Sequence, residues 1–345
     1  MIISKFRTFV SLFIRFRRLF LTCLFIPFFA IISVAVAQDV TFFRIGTGST
    51  SGTYFPIGAL IGAAITSPPG SRDCEDGGSC GVPGLIAAAQ TTRGSIANIK
   101  GVLNGTLETG LAQSDIVYAA FHGQGAFEGN EQGEAYLRVI ANLYPESFHL
   151  VVRNGAGIET FSQLKGKRIS IDLPGSGTRA NAKTILKAYG ITDKDYIPVE
   201  ANPDKAVNLL KKDELDAFFF IAGYPAGAVA ELADDGLIHL LPITGTVAGQ
   251  IIHEHQFFSL SMIPANTYKG IGETQTLAVS TQWIVNAKTD ADLVYGITRA
   301  LWHPRNRKML DGGHAKGKLI RLETALKGIA TPLHSGAEKF YLETP

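Results

Sequence analysis

Short apolar runs alternate along the chain with stretches in which apolar residues recur every three or four positions. The run around Phe42, Phe43 and Ile45 predicts a strand over 41–45, and the spacing through 54–65 predicts a helix. A strand over 84–91 and a helix over 95–103 follow, with Ser95 placed to cap the latter. Further strands are expected near 109–112, 137–144 and 148–153. The order then starts again: strand 168–172, helices 179–189 and 205–211, strand 217–221, helix 226–233 and strand 237–242. A last strand over 276–284 and helices over 290–301 and 304–310 complete the reading.

Such alternation predicts the α/β class, with parallel or mixed sheets covered by helices. A weak internal repeat divides it in two. Strand, hydroxyl-rich glycine loop and helix occur at Ile45-Gly-Thr-Gly-Ser-Thr-Ser-Gly-Thr-Tyr54 and again at Ile171-Asp-Leu-Pro-Gly-Ser-Gly-Thr178. Two facing lobes are therefore expected, 38–147 with 256–345 forming lobe one and 148–255 forming lobe two. They would be joined by crossing strands near 146–153 and 243–258.

The first 37 residues have the layout of a secretory leader. Lys5, Arg7, Arg15, Arg17 and Arg18 precede an apolar run from Leu19, which ends at the small-x-small site Ala35-Val36-Ala37. Cleavage there would begin the exported chain at Gln38, in the periplasm. An uncleaved anchor is the alternative, because the run approaches the roughly 20 residues that span a bilayer. The leader holds five of the 32 basic side chains and no acidic one, leaving 27 against 30 acids and a formal charge of −3. So balanced a chain has no basic footprint for nucleic acid. Cys74 and Cys80 flank Gly77-Gly78 in a polar stretch and are expected to form a disulfide in an oxidising compartment, in preference to a metal site.

Gly46-Thr-Gly-Ser-Thr-Ser-Gly-Thr53 lies where a strand would hand over to a helix, and the free amides of a helix N-terminus favour negative charge. Its glycines miss the dinucleotide spacing, since the third would have to stand at Ser51. A plain glycine turn is the alternative to an anion cradle. Pro174-Gly-Ser-Gly-Thr178 is the counterpart, with Thr178 able to cap the next helix. Gln113-Ser114-Asp115 and Gly223-Tyr224-Pro225 each end an apolar strand, where α/β sheets place ligand contacts. Asp115 could pair an ammonium group or cap a helix. Histidines are scattered, and His253-Glu254-His255 lacks the spacing of a helical zinc site. Nothing matches a nucleophile elbow around Ser176, so an enzyme is not expected.

Seven segments in order carry a resemblance to a known family: residues 45–58, Gly94-Ser-Ile-Ala-Asn98, Gln113-Ser-Asp115, Leu143-Tyr-Pro145, Leu164-Lys-Gly-Lys-Arg168, Pro174-Gly-Ser-Gly-Thr178 and Gly223-Tyr-Pro225. The chain resembles the TAXI family of solute receptors for TRAP transporters, in particular the branch that takes its name from a bacterial cell-surface immunogenic protein. That resemblance implies a type II periplasmic binding protein fold, a monomer without cofactor or metal, and the membrane subunits of a TRAP permease as partner. It implies a small ligand such as glutamate, glutamine or a dicarboxylate like 2-oxoglutarate. The site residues it implies are Thr47, Gly48, Ser49, Thr50 and Tyr54, Ser95, Gln113 and Ser114, then Gly175, Ser176, Gly177, Thr178 and Tyr224. Ser49 and Ser51 stand where the family commonly has glycine, and the insertion holding Cys74 and Cys80 is a further departure. A surface protein that has lost transport, or a periplasmic enzyme, are the alternative readings.

Overall fold

The structure, a computed structural model, describes residues 40–344. The expected secretory leader, residues 1–37, therefore lies outside the described residues. Among the described residues no helix is long and apolar enough to cross a membrane.

The strands are β1 (Thr41–Gly46), a short pair β2 (Thr66–Ser67) and β3 (Val82–Pro83), then β4 (Leu85–Gln90), β5 (Thr109–Gln113) and β6 (Leu137–Arg153). They continue with β7 (Arg168–Ser170), β8 (Ile197–Pro198), β9 (Ala217–Ala222), β10 (Ile238–Leu240), β11 (Ser259–Ile263) and β12 (Thr274–Asn286). The main sheet runs β4-β1-β5-β12-β6-β9-β7-β8, with β10 on β6 and β11 on β12. β1 is parallel to both its neighbours, and so is β7. Helices cross over between the parallel strands, as such strands require. The α/β class and the mixed sheets agree with the sequence reading.

Each half of the sheet is covered on both faces. β9 reads Ala-Phe-Phe-Phe-Ile-Ala and is buried at every position. Phe219 and Ile221 face a core shared with Leu150, Ile169 and Ile185, while Phe218 and Phe220 face a second core with Val207, Leu210 and Leu232. Period-two alternation within an unbroken apolar run is what a strand buried on both sides needs. In the other half Trp283 and Ile284 likewise point into two different cores.

Two long strands link the halves. β6 pairs with β12 over Leu137–Ser147 and with β9 over Ser147–Val152. β12 pairs with β11 through its first residues and with β5 through Thr281–Val285. They cross where Glu146 stands opposite Val279 and Pro145 opposite Ser280.

Several local expectations need correction. The strands expected at 137–144 and 148–153 are one strand of 17 residues. Pro145 does not end it, because an exposed position near the switch of pairing partners tolerates a missing N–H. The second crossing is not at 243–258. Gly245–Glu254 is a helix, and Val247, Ala248, Ile251 and Ile252 have helical spacing. Phe258, Leu277 and Val279 still pack with Phe148 and Ile185, so the chain returns to the first half within β12, later than the boundary at 256. Ser95 does not cap its helix: Gly94 precedes the first turn, and the Ser95 hydroxyl accepts from the Gln113 amide at 3.1 Å. Ser176, and not Thr178, caps the helix Gly177–Ala188. Asp115 lies within the helix Ser114–Phe121 and makes no cap.

Candidate functional site

The two glycine loops meet. Gly48, Ser49, Gly52, Thr53 and Tyr54, from the turn after β1, and Ser176, Gly177 and Thr178, at the entrance to Gly177–Ala188, line one cavity of about 120 Å³. A ~150 Å³ cavity holds a benzene ring, so this one suits a small solute. Of the expected residues, Gly48, Ser49, Tyr54, Ser95, Gln113, Ser176, Gly177 and Thr178 line it.

Thr47, Thr50, Ser114, Gly175 and Tyr224 do not. Thr47 is fully buried, its hydroxyl donating to the Gln90 carbonyl at 2.7 Å, and Asn98 and Thr92 bond its own carbonyl. It fixes the loop instead of facing the cavity. Thr50 is exposed, and Ser114 is buried at the head of its helix. Gly175 adopts φ 98°, a conformation that glycine takes without penalty, and its carbonyl accepts from the Ala97 amide at 3.0 Å. The Tyr224 ring lies 3.4 Å from the Lys316 ammonium.

Bonds between the two halves ring the cavity. Thr53 Oγ1 donates to the Gly223 carbonyl at 2.5 Å, the Ala228 amide to the Ser51 carbonyl at 3.1 Å, and Asn181 Nδ2 to Gln113 Oε1 at 3.3 Å. The halves are thus in contact on all these sides.

Charged groups that the sequence reading missed complete the lining: Glu146, Asp172 and Arg93. Glu146 is 1% exposed and sits where β6 and β12 cross. Thr281 Oγ1 donates to one of its oxygens and Gln113 Nε2 to the other at 3.5 Å. Burial pushes its carboxyl up to about 7. Asp172, with φ 74°, is held up at about 6 by burial, although the Leu173 amide donates to it at 2.7 Å. Lys316 is 2% exposed, and burial brings its ammonium down to about 8 against the pull of Glu146. A signal for Glu146 was available: it is the one charge in Leu143–Val152, a run otherwise apolar apart from Ser147 and His149. Arg93 and Asp172 follow strands at the positions where α/β sheets gather ligand contacts.

Elsewhere, Cys74 and Cys80 are bonded to each other, S–S 1.97 Å. His303 Nε2 lies 3.6 Å from Cys74 Sγ, but sulfurs bonded together offer no thiolate to a metal.

A two-half α/β chain with a polar cavity between its sheet ends is the class that fold and site define. The family model described as the NMT1-like family matches residues 45–344, and the chain belongs to that family. Solved structures similar to it include the alkanesulfonate-binding protein SsuA from Xanthomonas axonopodis pv. citri bound to MOPS, at 15% identity and a TM-score of 0.45, covering 90% of this chain and 86% of that one. A periplasmic binding protein from Brucella ovis with glutathione bound is 14% identical, with a TM-score of 0.44 and coverage of 79% and 73%. An ancestral arginine-binding protein bound to arginine is 15% identical, with a TM-score of 0.41 and coverage of 79% and 93%.

Proposed function

We propose that this chain is a periplasmic solute receptor that closes its two lobes around a small zwitterion, an amino acid of the glutamate or glutamine kind, and delivers it to a membrane permease. One observation carries the reading: a single cavity between the two helix entrances is lined by two buried carboxyls and by the exposed Arg93. Burial holds both carboxyls above the ordinary range, Glu146 even with the Lys316 ammonium in its field, and a solute ammonium at Glu146 and Asp172 would relieve that cost. Arg93 and the free amides at the start of Gly177–Ala188 would take the solute carboxylate. A dicarboxylate such as 2-oxoglutarate has no ammonium to offer and would add like charge, so of the expected ligands it fits least. The seven motif segments favour a TRAP permease as partner, and no bond of the solute has to change.

In this reading the lobes swing about the crossing of β6 and β12, and the solute shifts the population toward the closed form by touching both. Isothermal titration of the purified chain with glutamate, glutamine and 2-oxoglutarate tests it. At least one amino acid should bind, and 2-oxoglutarate should bind more weakly than either. Ser176→Ala or Thr178→Ala should weaken the binder by about 1–3 kcal/mol, the effect of a lost buried hydrogen bond. Unchanged affinity in both variants would remove the lobe-two entrance from the site.

A further inference from the structure

A second, larger cavity of about 630 Å³ opens between the two halves on the far side of Gln113. Gln113 lines the first cavity and Asn181 the second, and the bond between their amides stands in the wall between them. From the first half the helix Ser114–Phe121 contributes Asp115 and Tyr118. From the second half come Asn181 and the segment 253–258, including Phe257.

Its chemistry differs from that of the first cavity. Four aromatic rings line it, and the Tyr118 and Phe257 rings approach to 5.0 Å across the halves. Its carboxyls and imidazoles are Asp115, Glu254, His253 and His255, and neither lysine nor arginine is among its lining residues. Asp115 Oδ1 is buried and lacks a hydrogen-bond partner. Such an oxygen calls for an N–H or O–H donor, and aromatic faces beside a carboxylate favour a cation.

We propose that this second cavity binds a small organic ammonium ion with an apolar body, its N–H groups on Asp115 and its body against the paired Tyr118 and Phe257 rings. The inference does not depend on what the first cavity holds. The carboxylate excludes anions, and the aromatic walls select against a bare metal ion.

Calorimetry of the full chain with benzylamine, and with benzyl alcohol as the uncharged comparison, tests it. Benzylamine should bind at one site and benzyl alcohol at least tenfold more weakly. Asp115→Asn should weaken benzylamine at least tenfold, and Tyr118→Ala and Phe257→Ala several-fold each, with circular dichroism confirming that each variant folds. An amino acid that binds the first cavity should not displace benzylamine. Absence of heat up to millimolar benzylamine, equal binding of the alcohol, or full affinity in the aromatic variants would overturn the proposal. Competition with the amino acid would instead assign benzylamine to the first cavity and equally end it.

Discussion

Glu146 concentrates the chemistry of the first cavity in one carboxyl. Its folded value is about 7 against an ordinary 4.5, because burial disfavours the charged form. The folded, solute-free chain therefore holds a proton that the unfolded chain releases, and stability falls as pH rises from about 4.5 through 7. The effect is on the order of 3 kcal/mol for this group. Asp172 and Asp115, both at about 6, act in the same direction. His149, buried and brought down to about 4, acts in the opposite direction, since the unfolded chain gains its proton as pH falls below 6.5. His314 and His334, whose imidazoles burial also brings down, act with His149, but the raised carboxyls reach to about 7, beyond the histidines' range, so the melting temperature of the solute-free chain should fall towards pH 7.5, and Glu146→Gln should flatten that fall. Solute affinity should change the other way, rising over the same interval as Glu146 becomes free to meet an ammonium. In Glu146→Gln that rise should shrink to the part that Asp172 supplies as it ionises near 6, and a titration series at four pH values would show it.

At the scale of single elements, the helix entrance at Gly177 leaves no room for a side chain. A Cβ there would stand 2.0 Å from Gln113 Oε1 and 2.8 Å from Ser95 Oγ, both on the facing half. Gly177→Ala should cost at least tenfold in solute affinity while changing the melting temperature little, because the two halves can part to relieve the clash. A loss of both together would mean that the closed contact is part of the fold itself. The elements most legible in the sequence were those whose pattern admits one reading. The all-apolar run of β9 and the three-to-four spacing of Tyr54–Ile65 were found nearly to the residue. β6 was split in two because a proline beside a glutamate resembles a strand end when the neighbouring strands are unknown. The helix Gly245–Glu254 carries its apolar positions at helical spacing, a signal that the expected extended crossing at 243–258 leaves unused. The hydroxyls of the glycine loops can be read as ligand contacts from their place after a strand, whereas Glu146 offers only the weaker signal of a lone charge in a mostly apolar run. A charge inside a strand reads as sheet surface until the strand is known to pass behind a cavity.

Across the whole molecule, the bonds between the halves lie around the rim of the cavity, and the crossing strands lie at its back. If closure is a swing of the lobes, solute should reduce the radius of gyration measured by small-angle scattering. Thr53→Val, which removes the donor to the Gly223 carbonyl, should weaken solute binding by about 1 kcal/mol. Stopped-flow measurement should assign that loss mainly to faster release.

The placement of Glu146 beside Val279 gives that swing an unequal geometry. In such a swing a group on the axle would hardly travel, whereas the bonds from Ala228 to Ser51 and from Ala97 to Gly175, which join the halves, would have to open. A solute could thus be gripped at its inner end before the lobes move, with arrival governed by the axle and residence time by the outer lips.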